Sequence, residues 1–157
     1  MNEMISYFNK DIKRINHAIK VYTFAKTIGE IEKVEKEKMV IIQLSAILHD
    51  IGIKESEKKY HSSSGKYQEI EGPPIARKIL KKYGIEDKIL ERICYIIGNH
   101  HTYDKVDDVD FQVLIEADLM VNIHEDQIQK EIVLRIKNKY YKTESGKNIL
   151  TSMYLPK

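Results

Sequence analysis

Tryptophan is absent from the 157 residues, cysteine occurs once and phenylalanine three times. One thiol, Cys94, excludes an intrachain disulfide, so no covalent staple can replace a core. Cys94 sits within the apolar run "ICYII" and reads as a small core residue rather than a reactive thiol. Neither charge sign dominates. Lys plus Arg number 26 against 24 Asp plus Glu, a net +2, which gives no electrostatic case for nucleic acid as the main partner. Long apolar runs are lacking as well. "MVIIQLSAIL" is too short to span a bilayer and carries Gln43 and Ser45. Charges interrupt "MNEMISYFNKDIKR" where a signal peptide needs apolar residues. A cytoplasmic location with no membrane partner is the expectation. Repeats and low-complexity tracts are not visible.

What is present is helical. With 42% hydrophobic and 32% charged residues, the chain suits one globular domain over residues 1–157. Asp11 can cap a long helix reaching about Ile28, with Ile12, Ile15, Ile19 and Tyr22 at helical spacing and Gly29 as its end. A second helix is expected from about Lys36 to Ile51, stopped by Gly52. Residues 54–72 read as the main irregular segment. Pro73 and Pro74 suit the first turn of a helix reaching Lys82. Ile89, Ile93 and Ile97 form a stripe that continues to His100, and a further helix runs from about Asp110 to His124. Residues 126–157 read as a C-terminal helical extension, with one amphipathic helix and a shorter final one. No stretch alternates as a strand does, so the fold class is all-α.

The chemistry starts at "LSAILHDIGI". His49 and Asp50 are consecutive, so on a helix they leave the axis about 100° apart and can both reach one atom beside it. A metal ion suits that geometry, because imidazole nitrogen and carboxylate oxygen bind Mn, Fe, Co, Ni or Zn. Alone, the pair also fits a helix end where Asp50 accepts backbone hydrogen bonds. His17 lies between Ile15 and Ile19, and alone could be a surface histidine. Asp118 interrupts the apolar "FQVLIEADLMV", where a bare carboxylate is expensive unless it meets a cation or a basic side chain. His100 and His101 close the helix after "CYIIGN" and fit dipole-stabilised terminal histidines equally well.

Taken together, these residues resemble the HD domain superfamily of metal-dependent phosphohydrolases. "LSAILHDIG" is similar to its His-Asp signature, "IEADLMVN" to the segment supplying the last ligand, and "INHAIKVYTFAKTIG" to the helix supplying the first. The resemblance covers about residues 10–125. It implies a compact helical bundle of about six to eight helices, with His17, His49, Asp50 and Asp118 as metal ligands. It also implies Asp50, His100 and His61 as groups acting on a small phosphorylated substrate. Members with a second metal often carry a histidine where this chain has Gln68. One ion, or a second ion held weakly, is therefore the expectation, with Glu69 and Glu71 as further candidate ligands. Two metals around His100 and His101 would suit a phosphodiesterase, and a binding module without turnover is the remaining alternative. Arg77 could face the cleft, Asn122 could orient Asp118, and Lys54, Lys58, Lys59 and Lys66 surround His61. Ten tyrosines can supply pocket rims or a homodimer interface.

Overall fold

The computed structural model describes residues 1–155. Among the described residues there are nine α-helices, two short 3-10 turns and no strand. The helices are α1 (Asn2–Phe8), α2 (Ile12–Ile31), α3 (Lys36–Leu48), α4 (Ile53–Tyr60) and α5 (Gly65–Leu80). They continue as α6 (Asp87–Ile97), α7 (Val109–Glu125), α8 (Lys130–Tyr140) and α9 (Glu144–Tyr154). The all-α class holds, but nine helices exceed the six to eight expected. The final two are equal in length rather than one long and one short.

The additional helices lie where the sequence pattern was weakest. At seven residues, α1 is too short to display a period; Met4 and Phe8 bury its inner face. The segment expected to be irregular holds α4 and the first two turns of α5. Pro73 and Pro74 fall inside α5 rather than in its first turn. Proline removes backbone N–H groups there, yet the helix is held from outside by packing. A Cβ on Gly52 would lie 2.5 Å from the Gln68 carbonyl oxygen and 2.7 Å from the Gly72 nitrogen. A Cβ on Gly72 would lie 2.7 Å from Ile97 Cγ2. The turn after α3 therefore rests on the backbone of α5, with α6 directly behind.

Asp11 caps α2 as expected, accepting from the Arg14 backbone N–H at 3.2 Å. Gly29 does not end that helix. It is buried inside it, where a Cβ would lie 2.5 Å from Met39 Sδ, so its role is close helix approach. Cys94 is buried, and burial pushes its thiol up.

The core gathers around α7. This helix buries Phe111, Val113, Leu114, Ile115, Ala117, Met120, Val121 and Ile123, an apolar surface all round that marks a central element. It packs on α2 and α3, and α3 packs in turn on α2 and α6. Because α7 is enclosed, its acids are enclosed too. No helix among the described residues is long and apolar enough to cross a membrane.

Candidate metal centre

Three carboxylates on α7 are almost fully buried: Asp110, Glu116 and Asp118. Each must be compensated, and the partners differ in kind. Asp110 meets the Arg92 guanidinium at 3.0 and 2.6 Å. Glu116 accepts from the backbone of Lys142 and Thr143 at 2.6 and 2.9 Å, from Gln112 Nε2 at 2.8 Å and from the Thr143 hydroxyl. Those two sites are structural. Asp118 instead faces imidazoles, with Oδ1 3.1 Å from His17 Nε2 and 3.6 Å from His49 Nε2. Asn122 Nδ2 donates to the same oxygen at 3.0 Å, one turn further along α7.

His17 comes from the second turn of α2. His49 is the C-cap residue of α3, still with helical dihedrals, and Asp50 follows in the turn that Gly52 allows to sit on α5. The helix ends at Leu48 rather than Ile51, so the pair occupies a helix terminus with two side chains turned inward. His49 Nδ1 is 2.9 Å from the Ala46 carbonyl. A carbonyl only accepts, so Nδ1 carries the hydrogen and, in the neutral ring, Nε2 is bare. That nitrogen lies 3.2 Å from His17 Nε2 and 3.5 Å from Asp50 Oδ2. His17 Nε2 is in turn 3.6 Å from Asp50 Oδ2. Four groups thus converge, all lone-pair bearing when the rings are neutral, an arrangement able to hold a cation; the ligand atoms of His17, His49 and Asp50 lie within 4.8 Å of one another.

The electrostatics agree. Burial lowers the His49 imidazole, but Asp50 and Asp118 outweigh it and hold it up at about 9. Burial likewise lowers His17, and Asp118 with Asp50 reverses the sign. Burial raises Asp50, but His49 and His100 hold it below the usual carboxylate range. Burial raises Asp118, but His17 and His49 outweigh it and hold the carboxyl well below the usual carboxylate range. The field that attracts protons to these rings also attracts a divalent ion in their place. His17, His49, Asp50 and Asp118 fit such an ion by donor type, spacing and burial.

A second group of three adjoins the first. Ligand atoms of Asp50, His100 and His101 lie within 4.8 Å of one another. His100 Nδ1 contacts the Ile97 carbonyl at 2.8 Å. Its Nε2 is buried without a hydrogen-bond partner among the described residues and lies 3.5 Å from Asp50 Oδ1. Asp50 therefore presents one oxygen to each group. Gln68 stands beside this second group. Its Nε2 donates to the Ser63 carbonyl at 2.7 Å, and its Oε1 lies 3.3 Å from His101 Nε2.

Other candidates have different surroundings. His61 is exposed, in a left-handed conformation (φ 52°) at the C-terminus of α4, and belongs to neither group. Glu69 accepts from the His101 backbone and the Thr102 hydroxyl at 3.0 and 2.9 Å. Glu71 pairs with Lys59 at 2.5 Å and with the Tyr60 hydroxyl. Arg77 turns to the surface and pairs with Glu91 at 2.7 Å rather than facing the cleft. Lys54 donates to the Tyr7 carbonyl, and Lys58 meets Glu55 at 3.9 Å. One residue near the centre had not been singled out: Glu125, whose Oε2 lies 3.0 Å from His17 Nδ1. Its only advance sign was helical register with Asp118.

The chain shares its fold with a crystal structure described as a predicted HD superfamily hydrolase from an uncultured Thermotogales bacterium. The TM-score is 0.71 at 19% identity, covering 98% of this chain and 82% of that one. None of the curated proteins matches the chain. Residues 14–136 match the HD domain family, and with His17, His49-Asp50 and Asp118 all inside that span, the chain belongs to this family.

Proposed function

We propose that this chain is a metal-dependent phosphohydrolase acting on a small phosphate monoester, nucleotides included. The observation that carries the reading is the convergence of His17 Nε2, His49 Nε2, Asp50 and Asp118 on one buried point. A bound divalent ion there would lower the pKa of water and polarise a phosphoryl oxygen. The chain's own groups do the rest. The Asp50 side chain is 16% exposed against 1% for His49 and 6% for Asp118, so it forms the open face. It orients the attacking water and accepts its proton. His100, fixed through Nδ1, holds its other nitrogen beside Asp50; once protonated there, it donates to the departing alkoxide oxygen. In-line attack then releases an alcohol and phosphate.

His61, at the head of the exposed stretch that leads into Gly65, is the proposed contact for the substrate's phosphate; Gly65 packs against His101, where a Cβ on it would lie 2.6 Å from the ring, so that stretch borders the second group.

A second reading is supported by the partnerless His100 Nε2. If Asp50 Oδ1, His100 and His101 hold a second ion, a phosphodiester becomes the better substrate. The test is a substrate panel on metal-reconstituted protein: nucleoside mono-, di- and triphosphates, sugar phosphates and bis(4-nitrophenyl) phosphate. Monoester hydrolysis with one ion per chain supports the first reading. Diester-selective hydrolysis with two ions supports the second. No hydrolysis of any of them by metal-loaded protein overturns both.

A further inference from the structure

Nδ1 of each buried histidine needs an acceptor if Nε2 is to remain bare. His49 and His100 find theirs in backbone. Both lie at or just past a helix end and use a carbonyl three residues earlier, Ala46 or Ile97. Such carbonyls are free because the last turn of a helix has no further N–H to receive. His17 cannot do this. It lies in the interior of α2 (Ile12–Ile31), where preceding carbonyls are engaged in the helix. Its acceptor has to come from another element.

Glu125 supplies it. On α7 it follows Asp118 by seven residues, two helical turns, with Asn122 between them, so all three project from one side. Glu125 Oε2 lies 3.0 Å from His17 Nδ1, and Oε1 accepts from the Lys20 ammonium. His17 and Lys20 are one turn apart on α2. A single carboxylate therefore spans two successive positions of the facing helix. On the far side of the same ring, Nε2 is 3.1 Å from Asp118 Oδ1. Helix α7 thus faces the His17 imidazole at both nitrogens: Glu125 accepts from Nδ1–H, and Asp118 Oδ1 meets the bare Nε2 as a fellow ligand atom.

We propose that Glu125 is the positioning residue for His17. It holds the ring as the Nδ1–H tautomer, fixes its plane and increases the donor strength of Nε2. Lys20 anchors the carboxylate and keeps it ionised. A ring of the opposite tautomer would turn a lone pair toward Glu125 and an N–H into the ligand cluster. The inference rests on reading His17 as a ligand, and its test separates the two.

Glu125→Ala and Glu125→Gln are compared with wild type in two measurements. The first is Mn(II) and Zn(II) affinity by competition with a chelator of known strength. Glu125→Ala is expected to lose about 10–100-fold in affinity. Glu125→Gln keeps an oxygen acceptor without the charge and is expected to lose less. The second is the ¹⁵N NMR signature of the His17 ring in metal-free protein at alkaline pH, where the imidazole is neutral. Wild type and Glu125→Gln should show the Nδ1–H form, and Glu125→Ala a mixture. Unchanged affinity and an unchanged tautomer in a folded Glu125→Ala protein would overturn the role of Glu125. A wild-type protein that binds no ion, yet keeps a Glu125-dependent tautomer, would overturn the ligand reading and leave the pair standing.

Discussion

At the scale of residues, the decisive contrast is among acids that share one helix. Asp110 and Glu116 have partners that complete them, whereas Asp118 faces imidazoles that can share a cation with it. Asp50→Ala and Asp118→Ala are each expected to abolish metal-dependent hydrolysis while far-UV circular dichroism keeps its helical form. Undiminished turnover in either purified variant would refute the site. The pH dependence of metal binding follows from His49. Its proton must leave before an ion can take Nε2, and that proton is held up to about 9. Apparent affinity should therefore rise as pH increases toward about 9, by about tenfold per unit for each proton displaced, and level off above it. Chelator competition across that range checks this; a flat profile would mean that His49 is not a ligand. These residues were legible in the sequence because a polar group in an apolar run is conspicuous. Glu125 was not, since it stands at the polar end of α7, where an acid is unremarkable until the facing helix is known.

At the scale of elements, the site depends on helices brought unusually close. Gly52 and Gly72 let the His49–Asp50 turn touch α5, and the atoms that a Cβ would meet at Gly52 are backbone. Gly52→Ala should therefore destabilise the fold by about 1–3 kcal/mol, a fall in Tm of roughly 2–10 °C, and weaken metal binding as the turn shifts. A thermal melt with and without added metal reads both effects; an unchanged melt would contradict the close packing. Glu116 makes the corresponding link to the C-terminal helices. Its loss strands the Lys142 and Thr143 amides, at a cost on the order of 3 kcal/mol, and amide exchange at those two positions should accelerate. Unaltered exchange there would show that the connection between α8 and α9 is held by other contacts. The long helices could be read in advance, from Asp11 at the cap of α2 to the apolar run of α7. The start of α5 could not. Its prolines favour a later beginning, and the contacts that override them join residues distant in sequence.

At the scale of the molecule, metal and fold should be coupled. The four candidate ligands come from α2, from the turn after α3 and from α7, so an ion bound to them would tie together segments that meet only in the folded state. An ion at a hundredfold excess over its Kd adds about 2.7 kcal/mol, roughly 5–10 °C in Tm for a chain of this size. Chelation should remove that increment and leave a helical, less stable protein. The family match assigns the chain to the HD domain family and the shared fold agrees with it; the proposed function makes a bound ion its first requirement. Direct measurement of metal bound per chain, after reconstitution with Mn, Fe, Co, Ni or Zn, tests that requirement most directly. At least one ion per wild-type chain, lost in Asp118→Ala, is the predicted result. Fewer than about 0.1 ion per folded wild-type chain with every metal tried would contradict it.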